Sequence, residues 1–231
     1  MSGKHKLKVD WCSHAAAKCA VERWHYSKTM PVPPQQALGV WEGTSFVGAV
    51  VFAKGANYRI NEFFGLAKSE VAELVRVALK PGHAAPVSQV LKYAMQMVRL
   101  KNPGLRLFVS YADTNEGHHG GIYQAGGWVY LGMTSPSVAY ESGGMMLHKR
   151  AFTGKNYGKQ ALALPSDAVA HRRDGKHRYA IGLDKLMREW LEKRRQAYPK
   201  RAASIGDAPD SQSGEPGSIR GLRSQGMAAN D

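Results

Sequence analysis

Leu105 to Gly132 reads LRLFVSYADTNEGHHGGIYQAGGWVYLG, and its reading decides the fold. Leu105–Tyr111 has the apolar run of a buried strand, Ala112–His118 is a polar loop, and a short helix carrying Tyr123 follows. Gly126-Gly127 supplies left-handed residues that stop the helix, and Trp128–Leu131 begins another strand. A strand, loop, helix and strand with polar groups gathered at the first strand's carboxyl end is where α/β proteins build sites. Ser110, Tyr111, Asp113, Asn115, His118 and His119 all fall there.

Working outward, Asp10–Arg23 has helical composition, and His25 and Tyr26 precede a proline-rich break at Met30–Pro34. A loop entered in this way folds over a site as readily as it serves structure. Gln36–Trp41 and Phe46–Ala53 read as a hairpin, Glu62–Leu66 as a weaker strand, and Glu73–Leu79 (ELVRVAL) as a strong one. Ser88–Leu100 is an amphipathic helix with Ser88 as its N-cap and Asn102-Pro103-Gly104 as its stop. Val138–Tyr140 and Met145–Lys149 suit a strand pair, Arg178–Ile181 a short strand, and Asp184–Tyr198 a basic amphipathic helix. From Ala202 the chain is rich in Gly, Ser, Pro and Ala without aromatics, the composition of a disordered tail.

The chain has 231 residues, 43% of them hydrophobic, enough for one substantial core. No apolar run approaches a membrane span and the N-terminus lacks a secretion signal, so a cytoplasmic protein without a membrane partner is expected. Two cysteines, Cys12 and Cys19, give no disulfide framework. Thirty-two Lys+Arg against 18 Asp+Glu leave +14, an excess that favours a polyanionic partner such as nucleic acid. Eleven Lys/Arg and four Asp/Glu lie between His171 and Arg201. Arg172, Arg173, Lys176 and Arg178 are therefore expected to contact phosphates, unless they form a merely solvated face.

Arg76 is the one charge inside an apolar strand, and an unpaired charge there is costly. It must reach a phosphate, a carboxylate such as Asp113 or Glu73, or the domain edge. His118 and His119 are adjacent and cannot share a helix face, and neither Cys12/Cys19 nor Cys12-x-His14 has zinc spacing. No metal ligands are assigned; an iron or zinc ion stays an open alternative.

The order of elements, ELVRVALKP (Glu73–Pro81) and the closing pattern Asn115–Tyr123–Gly127-Trp128 resemble the GNAT acyltransferase superfamily. Within it, WHYSKTMP (Trp24–Pro31), SYADTNEGHHGG (Ser110–Gly121) and GKHRYAI (Gly175–Ile181) are similar to the Mom DNA-modification family of Mu-like phages. The resemblance implies an α/β (α+β) fold with a mixed, mostly antiparallel sheet flanked by helices. With the basic helix and tail read above, residues 1–181 are expected to form the GNAT-like catalytic domain, 182–201 a basic helix in contact with nucleic acid and 202–231 a disordered tail. The resemblance further implies a transferase that turns adenine in duplex DNA into its N6-carbamoylmethyl derivative, in the cytoplasm of the phage's host.

Adenine N6 is a poor nucleophile stacked inside the duplex, so its base must be flipped out. Asp113 then becomes the acceptor beside N6 or, equally, a turn-forming aspartate after its strand; Tyr111 is a core aromatic or a stacking partner; and Tyr123 is, by family analogy, the acid to the leaving group or a buried helix tyrosine with a satisfied hydroxyl, with Ser110, Arg76, His25 and Tyr26 completing the set. Asn115, His118 and His119 line the same loop. GNAT enzymes grip the coenzyme A pyrophosphate with a glycine-rich loop opening a helix. Here Gly82–Ser88 lacks the paired glycines, and Pro86 removes a donor. Glycyl-tRNA is therefore placed before acyl-coenzyme A as donor, beside direct alkylation by an unidentified one. A non-catalytic basic DNA-binding protein and a conventional acyl-coenzyme A N-acyltransferase are the competing functions.

Overall fold

A computed structural model describes residues 6–31, 35–53, 59–149, 152 and 162–200. The expected tail at 202–231 lies outside them. The elements run β1 (Leu7–Trp11), α1 (His14–Trp24), β2 (Gln35–Glu42), β3 (Ser45–Ala53), α2 (Ile60–Phe63), β4 (Val71–Leu79) and α3 (Val87–Lys101). After these come β5 (Leu107–Asp113), α4 (Gly121–Ala125), β6 (Val129–Met133), β7 (Ser137–Ser142), β8 (Met145–His148), β9 (Val169–Arg173), β10 (Lys176–Gly182) and α5 (Lys185–Glu192). The fold is α/β of the mixed kind, with helices on both faces of a large, mostly antiparallel sheet.

Seven strands order as β1-β2-β3-β4-β5-β10-β6, and β8-β7-β9 form a separate three-stranded sheet. β4 and β5 are the parallel pair; the other pairings of both sheets are antiparallel. One face carries Leu38, Val50, Phe52, Leu74 and Phe108 against Val90, Leu91, Ala94 and Val98 of α3. The other splits in two. Ala49, Val51 and Ala78 meet Ala17, Ala20 and Val21 of α1, while Leu107, Val109, Val129 and Ala180 meet Met187 and Leu191 of α5. Each large side chain so buried contributes about 1.5–3 kcal/mol.

Several boundaries depart from the sequence reading. Glu62–Leu66 is not a strand. The short helix α2 ends there, with Gly65 left-handed at φ 65° and Asn61 Nδ2 donating to the Leu66 carbonyl at 2.8 Å. Asp10 belongs to β1, and α1 starts after Ser13, whose hydroxyl accepts from the Ala16 amide. Pro86, not Ser88, holds the N-cap of α3, since its fixed φ of −57° suits a helix entrance. The basic segment before Asp174 is itself a strand, β9, in the small sheet. α5 stops at Glu192, short of Tyr198. The following residues leave the helix, where Gln196 donates its amide to the Tyr130 carbonyl and Tyr198 its hydroxyl to that of Trp128.

Candidate active site

β4 and β5 stay paired only from Val71↔Leu107 to Leu74↔Ser110, and beyond that point they part. At the last paired position Ser110 adds a side-chain bond to β4. Its Oγ donates to the Leu74 carbonyl at 2.7 Å. The Tyr123 hydroxyl lies 2.8 Å from the same Oγ. A serine has one proton and the carbonyl can only accept, so the tyrosine supplies the proton of the second bond. Burial pushes the Tyr123 hydroxyl up to about 12, with the Ser110 contact pulling weakly the other way.

Tyr123 is held by its neighbours. Its ring sits 5.4 Å from that of Trp128 and 5.1 Å from that of Tyr179. Gly120 opens α4 in the left-handed region at φ 85°, and a Cβ there would collide with the Tyr179 ring. No other residue type fits both demands.

The opposite face receives the charged groups through a bulge. On β3, Val51 packs toward α1 and Phe52 toward α3, yet they pair with Arg76 and Leu74, leaving Val75 as the extra residue. The bulge turns Arg76 to the α1 face, the face of Glu73 opposite Ala53. Arg76 Nε donates to the Thr29 carbonyl at 2.9 Å and an Nη to the Val75 carbonyl at 2.7 Å. Of the destinations expected for Arg76, the direct bonds go to backbone, and they pull the Trp24–Pro31 loop onto β4. Burial lowers its pKa, while Tyr26 and Glu73 oppose that.

His25 is buried and stacks on Tyr26, with ring centroids 4.3 Å apart. Its Nδ1 accepts the Ser27 amide at 3.1 Å, so the neutral ring carries its proton on Nε2. Burial, then the positive charge of Arg76 and of His118 and Lys28, brings its pKa down to about 4. Tyr26 is 47% exposed and meets His118 edge-on at 5.0 Å. His25, Tyr26, Arg76 and His118 thus gather at the mouth of the opening. His119 departs from them: its carbonyl accepts the Tyr179 hydroxyl and its ring lies beside Gly121.

Asp113 is buried, and both its oxygens are taken by the chain itself. Oδ1 accepts the Asn115 amide at 3.1 Å and Asn115 Nδ2 at 3.0 Å, while Lys176 Nζ stands 2.7 Å from Oδ2. Arg173 lies 3.9 Å from Oδ1 and 3.6 Å from Glu116. Burial raises the carboxyl's pKa, but Lys176 and Asn115 outweigh it and hold the group below its ordinary value. Of the two readings open for this carboxylate, substrate acceptor and turn former, the structure displays the second: Asp113 caps the 3-10 turn Thr114–Glu116 and anchors two cations.

Asn115 also accepts the Asp174 amide, so it serves the loop's attachment to the β9–β10 turn. Tyr111 turns its half-buried ring toward the α2 and α5 cluster, opposite in facing to Ser110. Arg178, its partner across β10, lies 4.0 Å over the Phe63 ring. Of the four residues expected on phosphates, Arg173 and Lys176 pair with acids, Arg178 covers an aromatic ring, and Arg172 is exposed. Among the described residues no three His, Cys, Asp or Glu side chains cluster as metal ligands, and no helix is long and apolar enough to cross a membrane.

One acidic residue escaped the sequence reading. Glu73, named there as a partner for Arg76, shares its face only because of the bulge, which alternation does not reveal. Glu42, at the end of β2, accepts the amides of Ala84 at 2.7 Å and Ala85 at 2.8 Å. These are amides of the loop that opens α3, the place where an anionic ligand's phosphates would be gripped. A side-chain carboxylate fills it, and Pro86 next to it has no N–H to give.

The chain is 27% identical over 210 residues, 86% of each protein, to the methylcarbamoylase mom of Escherichia phage Mu. Among solved structures it is similar to FeeM, an N-acyl amino acid synthase from uncultured soil microbes, at 13% identity over 82% of this chain and 96% of that one, with a TM-score of 0.47. A spermidine N-acetyltransferase from Vibrio cholerae, in complex with CoA and spermine, aligns at 10% identity over 76% and 95% with a TM-score of 0.42. The model of the Mom protein family matches residues 6–200, and the chain belongs to the Mom protein family.

Proposed function

We propose that this protein is a DNA-modifying transferase that converts adenine in duplex DNA to N6-carbamoylmethyladenine and so shields phage DNA from host restriction. The observation that carries the reading is the opening between β4 and β5. A proton-donating tyrosine, Tyr123, closes one side of it, and His25, Tyr26 and Arg76 gather on the other, in a chain of the Mom family. A net charge of +14 suits the polyanionic substrate. The reaction takes place in the host cytoplasm, where that DNA is.

In this reading the target base leaves the stack and enters at the mouth, where the exposed Tyr26 ring offers a stacking surface. His25, neutral above its low pKa, presents Nε2–H as a donor to developing oxyanion charge. Tyr123, joined to Ser110, returns a proton to the leaving oxygen. Arg76 fixes the loop that carries His25 and Tyr26. Asp113 stays ionised and holds Lys176 and Arg173 for the phosphates around the flipped base.

The donor proposed is an aminoacyl ester, glycyl-tRNA, rather than acyl-coenzyme A. Glu42 on the Ala84 and Ala85 amides supports this, because it already occupies two of the amides that lead into α3, where a pyrophosphate would have to compete with a carboxylate. N6 attacks the glycyl carbonyl, loses a proton, and expels the tRNA ribose oxygen, which takes one up. The glycyl amine then attacks C6 and the original nitrogen leaves that carbon as the terminal amide. The two purine products are isomers, so no further reagent is consumed.

Nucleoside mass spectrometry of DNA from cells expressing the protein tests the activity; unchanged nucleosides would assign the chain to DNA binding alone. Adenine labelled at its exocyclic nitrogen tests the route. The label is expected in the terminal amide, and its appearance in the bridging position would mean direct alkylation.

A further inference from the structure

The small sheet β8-β7-β9 plays no part in the chemistry above, yet its root lies in the site. Arg173 at the end of β9 reaches Asp113 and Glu116, and Ser137 at the start of β7 pairs with it. From that root β9 runs about 13 Å outward at the usual strand rise. The far end is the β7–β8 turn Ser142-Gly143-Gly144-Met145, with Gly143 and Gly144 both left-handed at φ 55° and 73°. That is the tight two-residue hairpin geometry. Asp167 fastens it, accepting the Ser142 hydroxyl at 2.7 Å and the Gly143 amide at 3.3 Å.

A fixed tip of this kind ought to be polar, but Met145 is 65% and Met146 50% exposed. Neighbours on a strand point to opposite faces, so among the described residues the tip is bare and apolar on both sides. Among the described residues of Thr134–Lys176, Lys149, Arg172, Arg173 and Lys176 stand against Glu141, Asp167 and Asp174, and Lys149 and Arg172 are exposed. Apolar side chains at the end of a basic arm suit one partner well: a duplex whose phosphates meet the arm and whose base stack admits the tip. Methionine is slim, flexible and polarizable, and it belongs to the residue types that wedge between base steps.

We propose that the β7–β8 hairpin tip is a wedge, with Met145 and Met146 entering the DNA stack to fill the space that the flipped adenine vacates. The inference rests on the DNA-modifying reading above. It separates holding the duplex, done by the basic arm and its neighbours, from stabilising the opened base pair, done by two thioether side chains.

A duplex with a single abasic site offers the gap ready-made. The full-length protein is expected to bind it about tenfold tighter than the intact duplex, because the cost of unstacking is already met. The Met145→Ser/Met146→Ser variant, changed only at exposed positions, is expected to bind intact duplex like the wild type and to lose the preference. A preference that survives in the variant, or that the wild type never shows, overturns the wedge while leaving the function intact, and would give the exposed methionines to a protein surface instead. Failure of the wild type to bind either duplex overturns both.

Discussion

Tyr123 gives its proton to Ser110 across 2.8 Å because the serine's own proton is already spent on the Leu74 carbonyl. The proposed acid is thus tied to the side-chain bond that joins β5 to β4 where their pairing ends. Tyr123→Phe should reduce modification about 100-fold or more, the usual worth of a general acid, while melting near the wild type. Ser110→Ala should lose stability as well, by about 1–3 kcal/mol, since it leaves a buried hydroxyl without its acceptor. Nucleoside mass spectrometry together with thermal melting checks the contrast; equal stability loss in the two variants would remove it.

Acid stability should fall in two windows. His25 has a pKa of about 4 in the fold against 6.5 free, so the unfolded chain takes up its proton first. Its contribution is intact above pH 6.5 and lost as pH drops toward 4. Asp113 is depressed below its ordinary 3.8, so its contribution persists through that window and disappears only at lower pH. Histidine ring NMR should place the His25 midpoint near 4, and Asp113→Asn should flatten only the lower limb of a denaturation-against-pH curve. A His25 midpoint near 6.5 would contradict the buried, neutral ring.

Coenzyme A should leave the melting temperature of the wild type unchanged, because Glu42 already occupies the Ala84 and Ala85 amides. Glu42→Ala should cost about 1 kcal/mol through the lost charged hydrogen bonds. It should also make the melting temperature respond to phosphate or coenzyme A. A wild-type shift of several degrees with coenzyme A would show that the loop rearranges and the carboxylate yields.

Arg172 is exposed, whereas Arg173 is engaged with Asp113 and Glu116. Arg172→Ala should therefore weaken DNA binding evenly across sequences and lower the slope of log K against log salt by about 0.9. Arg173→Ala should additionally disturb the Thr114–Glu116 turn, visible as faster amide exchange there. Identical behaviour of the two variants would mean that the ion pairs at Arg173 carry no structural weight.

The elements with strong local signals were legible in the residues: α1, α3, the β2–β3 hairpin, β5 with its polar end, and α4 stopped by glycine. The gathering of polar groups at the β5 terminus was legible too. What failed was whatever depends on partners distant in sequence. β10 inserts between β5 and β6, and β9 joins β7; neither insertion leaves a mark on the strand itself. The bulge at Val75 decides which face Arg76 takes, yet ELVRVAL reads as plain alternation. The two readings of Asp113 stayed open because Lys176, its closest partner, arrives from a strand far along the chain.

That late insertion has a temporal consequence. β5 lies in the middle of the sheet, but one of its two flanking strands, β10, leaves the ribosome only after roughly sixty further residues, about 3–12 s of synthesis. Until then β1 to β5 end in a raw edge, β6 has no partner in the sheet, and Asp113 has no Lys176 to meet it. Enzymatic competence therefore begins with the closing strand, and any message truncated before Gly182 yields a sticky intermediate, not a weakened catalyst.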